Sequence, residues 1–368
     1  MHPSERRTPV RYLMAWGAII GTSILAATVV FGNATKQAPS EQVTVESAPL
    51  VRPAIDGVLD LFKQKAVVAL GDAHGVAQEE IFYSALIRDP RFAEDVGNVV
   101  VEFGEASQGI IDRYVAGENV PLTELRRVWT ETAGWVPGPT ALGYINFFAN
   151  VRAVNLKLPL EHRIKVWLGD PKIDWSIINS FQDLQPYLER RDENFFRTIS
   201  EEILKKHKKT LLVIGSGHLD SPLGRPQSPE ALLTMLDRAY PNDLVRVAPF
   251  IGYTEPACNA TVVARAKDWP VPAVVSPVEG TWLKAYLQLP GCGNIPGANF
   301  DAVLFLGSPD TLTQSPIDPD IYLDPDYFNE ENRRLQCCTP GVKPMDWGQL
   351  VQRSDLVPKK LPAPQFIH

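Results

Sequence analysis

AVVALGDAHG, residues 66–75, is a valine-rich apolar run that ends in a polar turn between two glycines. A short apolar run bounded by glycine is typical of a buried strand. The following residues 79–87, EEIFYSALI, predict a helix, because acidic residues in a first turn suit the helix dipole. Strand, turn and helix make up half of a βαβ unit. Since open α/β sheets bind ligands at the carboxyl ends of their strands, Asp72 and His74 are candidate functional residues.

Three further apolar runs also end in polar residues beside glycine. They are NVVVEFG at residues 98–104, with Glu102; IKVWLGD at 164–170, with Asp170; and TLLVIGSGH at 210–218, with His218. Later strands are predicted at residues 245–253 and 300–307, and a helical insertion at residues 108–155. Apolar strands that alternate with helices predict an α/β fold, with a mostly parallel central sheet flanked by helices.

The two ends of the chain differ from its middle. Residues 1–34 carry arginines before an apolar run at 12–31, which is typical of either a cleaved secretory signal or an uncleaved membrane anchor. Under both interpretations the positive-inside rule predicts an exported protein, periplasmic or extracellular. Residues 35–52 are predicted to be a linker, 53–310 the α/β domain, and 311–368 an irregular, proline-rich C-terminal extension.

Charge and cysteine content narrow the classes of function. The net charge of −7 argues against nucleic-acid binding. The expected partner is a small-molecule or peptide substrate of the hydrolytic site predicted below. The cysteines are Cys258, Cys292, Cys337 and Cys338, and four cysteines in an exported protein allow three disulfide pairings. Because adjacent cysteines rarely bridge each other, Cys337 and Cys338 are each expected to pair with Cys258 or Cys292. A zinc site is the alternative.

The polar strand ends predict one shared site, because parallel strands bring their carboxyl ends to the same edge. Its members are Asp72, His74, Glu102, Asp170 and His218. Two carboxylates repel by roughly 4 kcal/mol at about 4 Å and an effective dielectric of about 20, so such a site needs a cation, a shared proton or an arginine. All five residues are candidate ligands of a divalent ion such as Zn, Mn or Co.

Both versions of this site lead to hydrolysis. A bound metal would generate hydroxide from water, and without a metal a His–carboxylate pair would itself act as general base. Arg191, in a predicted helix, is a candidate for stabilising an oxyanion or holding a substrate carboxylate; otherwise it belongs to a solvated helix face. Each strand-end acid is alternatively a helix N-cap. Trp129, Trp135 and Tyr144 are interpreted as core residues or, alternatively, as residues that line a pocket. The sequence has no GxSxG, P-loop or HExxH motif.

The order of the motifs resembles a known superfamily. Gly-x-x-His at residues 71–74, a strand that ends at Glu102, and a second Gly-x-x-His at residues 215–218 are similar to the erythromycin esterase-like, ChaN-like and Tiki (TraB) superfamily. RDEN, residues 191–194, resembles the arginine-containing helix of the esterase branch. Asp72 departs from the esterase and ChaN pattern, in which glutamate is usual.

The resemblance implies particular roles and activities. It implies that His74 is a general base or metal ligand, that Glu102 is its carboxylate partner or a ligand, and that His218 is the second histidine. Its branches open macrolide lactones, cleave peptides with a metal, or bind haem. The sequence therefore predicts a hydrolase that cleaves an ester or amide with activated water. The alternatives are a non-catalytic protein that binds haem or another ligand, with His74 as axial ligand, and a cell-envelope scaffold.

Overall fold

The computed structural model describes residues 47–134, 141–220, 230–252, 256–287, 300–339, 341, 343–346, 348 and 359–361. The predicted signal or anchor at residues 1–34 lies outside these ranges, as do Trp135 and Cys292. Within the described ranges, no helix is both long enough and apolar enough to cross a membrane.

An eight-stranded sheet forms the centre of the fold, in the order β1-β7-β8-β6-β2-β5-β3-β4. Its strands are β1 Leu50–Pro53, β2 Val67–Asp72, β3 Asn98–Gly104, β4 Lys165–Asp170, β5 Thr210–Gly215, β6 Leu244–Phe250, β7 Ala273–Ser276 and β8 Ala302–Phe305. Every pairing is parallel except the two that β7 makes, with β8 and β1. The prediction of a mostly parallel α/β sheet is confirmed. Two short strands, β9 Thr313–Gln314 and β10 Lys359–Lys360, pair separately.

Helices follow most strands. They are α1 Ala54–Leu61, α2 Ala77–Arg88, α3 Pro90–Asp95, α4 Gln108–Ala116, α5 Leu122–Leu125, α6 Arg127–Thr130, α7 Leu142–Asn155, α8 Phe181–Glu189, α9 Arg191–Glu202, α10 Gly217–Asp220, α11 Leu232–Ala239, α12 Pro256–Arg265, α13 Trp282–Leu287, α14 Asp320–Leu323 and α15 Pro325–Cys338. The predicted helical insertion corresponds to α4 to α7.

The core lies on both faces of the sheet, as the uninterrupted apolar strands predict. In β2, Val68 and Leu70 pack with α1, α2, α4 and α7, whereas Val67 and Ala69 pack on the opposite face with α9 and α11. Side chains alternate between faces along a strand, so both faces of β2 must be covered by helices. The sheet order then makes β2, β5, β3 and β4 adjacent, and these are the four strands with polar ends.

Two segments are more ordered than the sequence indicated. The end of the predicted linker forms edge strand β1, since its extended backbone pairs with β7. The extension predicted to be irregular contains α14 and α15, and α15 buries Tyr327, Phe328 and Leu335. Because these three are almost the only large apolar residues in an otherwise charged helix, the apolar pattern that would have indicated a helix is sparse.

The cysteine prediction is wrong. Cys337 and Cys338 form a disulfide with each other, and Cys258 is disulfide-bonded as well. The two adjacent cysteines pack near Trp175 and Leu184, whereas Cys258 packs in a different apolar cluster, against β7 and β8. That separation removes Cys258 from the reach of the α15 cysteines. The alternative of a zinc site falls with it, because disulfide sulfurs are not zinc ligands.

Candidate functional site

The polar ends of β2, β3, β4 and β5 lie side by side, as expected for adjacent parallel strands. The side chain of Arg191, the first residue of α9, enters this group from the side. Its Nε donates to Asp170 Oδ1 at 2.8 Å, and its Nη2 donates to Glu102 Oε1. The structure therefore brings together Glu102, Asp170 and His218 around one guanidinium, with Asp72 and His74 on the other side of Glu102.

Both carboxylates bound to Arg191 are buried, and each accepts further hydrogen bonds from other residues. Asp170 also accepts hydrogen bonds from the Thr132 hydroxyl and the Gly134 amide. Glu102 Oε2 accepts from the Gly215 amide at 2.6 Å. Burial opposes ionisation of Glu102, but the positive charge of Arg191 outweighs it and holds the pKa of Glu102 well below its usual range.

The predicted divalent-metal set does not fit this arrangement. In the part of the chain that the structure describes, no group of three or more His, Cys, Asp or Glu side chains is placed to hold a metal ion. Arg191 gives the physical reason, since its guanidinium lies between Glu102, Asp170 and His218 and already neutralises the two carboxylates. Of the three ways to balance the acids, the chain uses arginine here.

His218 is almost completely buried, and both of its ring nitrogens contact neighbouring side chains. Its Nδ1 lies 2.8 Å from Asp192 Oδ1, and its Nε2 lies 3.3 Å from Arg191 Nη1 and 3.4 Å from Glu102 Oε1. A carboxylate only accepts hydrogen bonds, so Nδ1 carries a proton and donates to Asp192. Nε2 of the neutral ring then accepts from Arg191, which always donates. His218 is thereby fixed in one orientation behind Glu102.

His74 is in a different position, because its side chain is 29% exposed. Its Nδ1 lies 2.6 Å from Asp72 Oδ2, and the Tyr144 hydroxyl donates to the same oxygen at 2.5 Å. Nδ1 therefore carries the proton, and the neutral ring has its basic lone pair on Nε2. Nε2 lies 3.8 Å from Glu102 Oε2, which is longer than a hydrogen bond. Asp72 and Tyr144 together orient the imidazole.

A small cavity of about 20 Å³ adjoins His74. It is lined by Asp72, His74, Glu80, Tyr83, Val101, Glu102, Phe103, Gly143, Tyr144, Phe147, Phe148 and Val213. Such a volume holds about one water molecule, whereas ligand pockets usually measure about 300–1,000 Å³. A haem does not fit among these side chains as they stand, and haem binding stays a prediction.

Two buried glutamates of α2 adjoin this cavity. Glu79 accepts from the Ala73 amide at 2.9 Å and from the Tyr83 hydroxyl at 2.6 Å. Burial, reinforced by the nearby charge of Asp72, raises the pKa of Glu79 well above its usual range. Burial likewise raises the pKa of Glu80 to about 8. These two acids are therefore largely neutralised by protons at neutral pH.

Sequence reasoning missed several members of the site. Asp192 follows Arg191 in the same RDEN segment, and a carboxylate next to a candidate site arginine was the available signal. Tyr144 was interpreted as a core or a pocket-lining residue; it is buried and lines the cavity, but the hydrogen bond from its hydroxyl to Asp72 was not predicted. Glu79 and Glu80 were interpreted only as acids suited to a helix N-terminus.

No protein-family model and no curated protein matches the chain. Three similar solved structures are a structural-genomics target from Bacillus cereus, a succinoglycan biosynthesis protein, and ChaN of Campylobacter jejuni with cofacial haem binding. Their identities to this chain are 12%, 12% and 13%, and their TM-scores 0.47, 0.37 and 0.33. The matches cover 73%, 56% and 53% of this chain and 96%, 73% and 84% of those proteins. Similarity at this level carries no information on function.

Proposed function

We propose that the chain hydrolyses an ester or amide, with His74 as the general base that activates water. The observation that carries the proposal is the contact of 2.6 Å between Asp72 Oδ2 and Nδ1 of a ring whose side chain is 29% exposed. Asp72 holds the proton on Nδ1 and directs the basic Nε2 away from itself. Water bound at Nε2 would lose a proton to it while attacking the carbonyl carbon.

The other residues have supporting roles in this proposal. Glu102, held ionised by Arg191, faces Nε2 from 3.8 Å and would stabilise the imidazolium that forms. His218 and Asp170 keep Arg191 and Glu102 in place, so they position the site and do not touch substrate. Arg191 is enclosed between carboxylates and is assigned the same role, because its side chain is only 3% exposed.

A panel of activated esters, alkyl esters, lactones and peptides tests the proposal. Wild-type protein is compared with His74→Gln and with His162→Gln, a matched change at an exposed histidine remote from the site. We expect hydrolysis of at least one substrate and a loss of about 10²–10⁴-fold in His74→Gln only. Equal rates for wild type and His74→Gln would refute the assignment.

Haem is the control ligand in the same experiment. A Soret band that appears on addition of haem and is lost in His74→Gln, together with no hydrolysis of any substrate, would favour the binding protein that the sequence left open. We also propose that the chain belongs to the erythromycin esterase-like, ChaN-like and Tiki (TraB) superfamily. Cleavage of a lactone would support membership of its esterase branch.

A further inference from the structure

The carboxyl group of Glu80 has two unlike oxygens. The Gly143 amide and Ser315 hydrogen-bond to the carboxyl group, whereas Oε1 is buried and has no hydrogen-bond partner in the described structure. Glu80 as a whole is 4% exposed and lines the same cavity as His74. An unpartnered buried oxygen is costly, by about 1–3 kcal/mol, so a native site that retains one calls for an explanation.

The absence of a side chain at Gly143 makes room for the Glu80 carboxyl group. A Cβ added to Gly143 would lie 1.7 Å from Glu80 Oε2 and 2.2 Å from Glu80 Cδ. Only glycine at position 143 therefore leaves room for the carboxyl group at the start of α7. Chain segments from two distant parts of the sequence, Gly143 and Ser315, hold it there. The group is fixed by its partners, and it belongs to a residue that lines the cavity.

We propose that Glu80, in its acid form, donates a hydrogen bond from Oε1 to the carbonyl oxygen of the substrate. The proposal rests on the hydrolytic function of His74 and supplies the electrophilic group that function needs. Arg191 is committed to Glu102 and Asp170 and does not line the cavity, so the oxyanion role considered for it passes to Glu80. The cavity of about 20 Å³ has the size of one oxygen atom with its hydrogen-bond shell.

Proton placement supports this role. Gly143 N–H can only donate, so the oxygen it binds acts as acceptor and the acid proton belongs on Oε1. The groups that face Glu80 from the surrounding elements are Asp72, His74, Glu79, Tyr83, Glu102, Tyr144 and Ser315. Burial, together with the charge of Asp72, raises the pKa of Glu80 to about 8 and keeps the proton in place at neutral pH. A carboxylic acid kept neutral in this way is an effective donor to a developing oxyanion.

The reaction then balances. His74 Nε2 takes one proton from water as the water oxygen bonds to the carbonyl carbon, and the carbonyl electron pair moves to the oxygen that Glu80 holds. When the tetrahedral species collapses, the bond to the leaving group breaks and the imidazolium returns its proton to that group. Glu80 keeps its own proton throughout, so it acts as a hydrogen-bond donor.

Two substitutions distinguish a donor from a proton-transfer acid. Glu80→Gln keeps an N–H donor of nearly the same shape, and Glu80→Ala removes it; Glu94→Gln, an exposed acid on α3, is the control. On an ester that wild type cleaves, we expect kcat to fall about 10²–10³-fold in Glu80→Ala and less than about 10-fold in Glu80→Gln. The alkaline decline of wild-type activity near pH 8 should be absent from Glu80→Gln.

A second measurement is independent of activity. The infrared difference spectrum of wild type minus Glu80→Gln should show the carbonyl band of a protonated carboxyl group at pH 7 and lose it above pH 8. Absence of that band, or equal losses of activity in Glu80→Gln and Glu80→Ala, would overturn the proposal. If the band is present but wild type cleaves nothing, His74 hydrolysis and the catalytic use of Glu80 both fail. Only the protonated state of the Glu80 carboxyl group would then remain established.

Discussion

Replacement of Arg191 by methionine should be far more damaging than the same change at Arg197, on the same helix. Arg191 is 3% exposed and is bound to Glu102 and Asp170, which are 8% and 0% exposed. Removing one partner of a buried ion pair costs about 3–5 kcal/mol, because the other charges remain buried and uncompensated. Arg197 is 50% exposed and pairs with Glu105 near the surface, so its loss should cost about 1 kcal/mol or less.

Equilibrium unfolding in urea measures both costs, provided that the slope of the transition is unchanged between variants. A third variant, Arg191→Met with Glu102→Gln and Asp170→Asn, removes the stranded charges and should recover part of the lost free energy of unfolding. Equal costs at Arg191 and Arg197, or a triple variant no more stable than Arg191→Met, would refute the view that Arg191 is the counterion of the site.

The pH dependence should reverse sign between wild type and the Arg191 variant. In wild type the folded pKa of Glu102 lies below its unfolded value of about 4.3. This stabilisation is therefore present above about pH 4.3 and is lost as pH falls through the folded pKa. Without Arg191, burial dominates and raises the pKa of Glu102, so the deficit of the variant should shrink as pH is lowered from about 7 to about 5.

Three further changes test the cavity side of the site. Tyr144→Phe removes the donor to buried Asp72 and should lower the free energy of unfolding by about 1–3 kcal/mol in urea. Gly143→Ala should be destabilising because its methyl group would overlap the Glu80 carboxyl group, whereas Gly109→Ala, with nothing within 4 Å, should stabilise its helix by about 0.5–1 kcal/mol. Glu80 has a raised pKa, so its contribution to stability should be lost as pH rises toward 8, a loss that Glu80→Gln should lack.

The convergence of strand ends could be predicted because it depends on backbone alone. Apolar runs bounded by glycine identify parallel strands, and parallel strands align their ends whatever their side chains do. Strand β1, at the edge of the sheet, and its neighbour β7 were missed because they lack such an apolar run. Each has only four residues, too few for an apolar run that stands out from a loop.

Which charge balances which acid could not be predicted, because it depends on side-chain reach across neighbouring strands. The sequence allowed a metal, a shared proton or an arginine, and the structure uses arginine for Glu102 and Asp170. The decisive fact is that α9 begins with Arg191 at the end of β4, close enough for one guanidinium to contact both carboxylates. A shift of one residue in α9 would turn that side chain by about 100°.

The site therefore consists of two parts that balance charge by different means. On one side Arg191 neutralises Glu102 with a group that stays charged at all accessible pH values. On the other side Glu79 and Glu80 are neutralised by protons, because burial raises their pKa values. The Glu80 carboxyl group can change its protonation near neutral pH, and residues that do so are the ones suited to proton chemistry. His74 lies between the two, with Glu102 3.8 Å from its Nε2, and its side chain is 29% exposed to solvent.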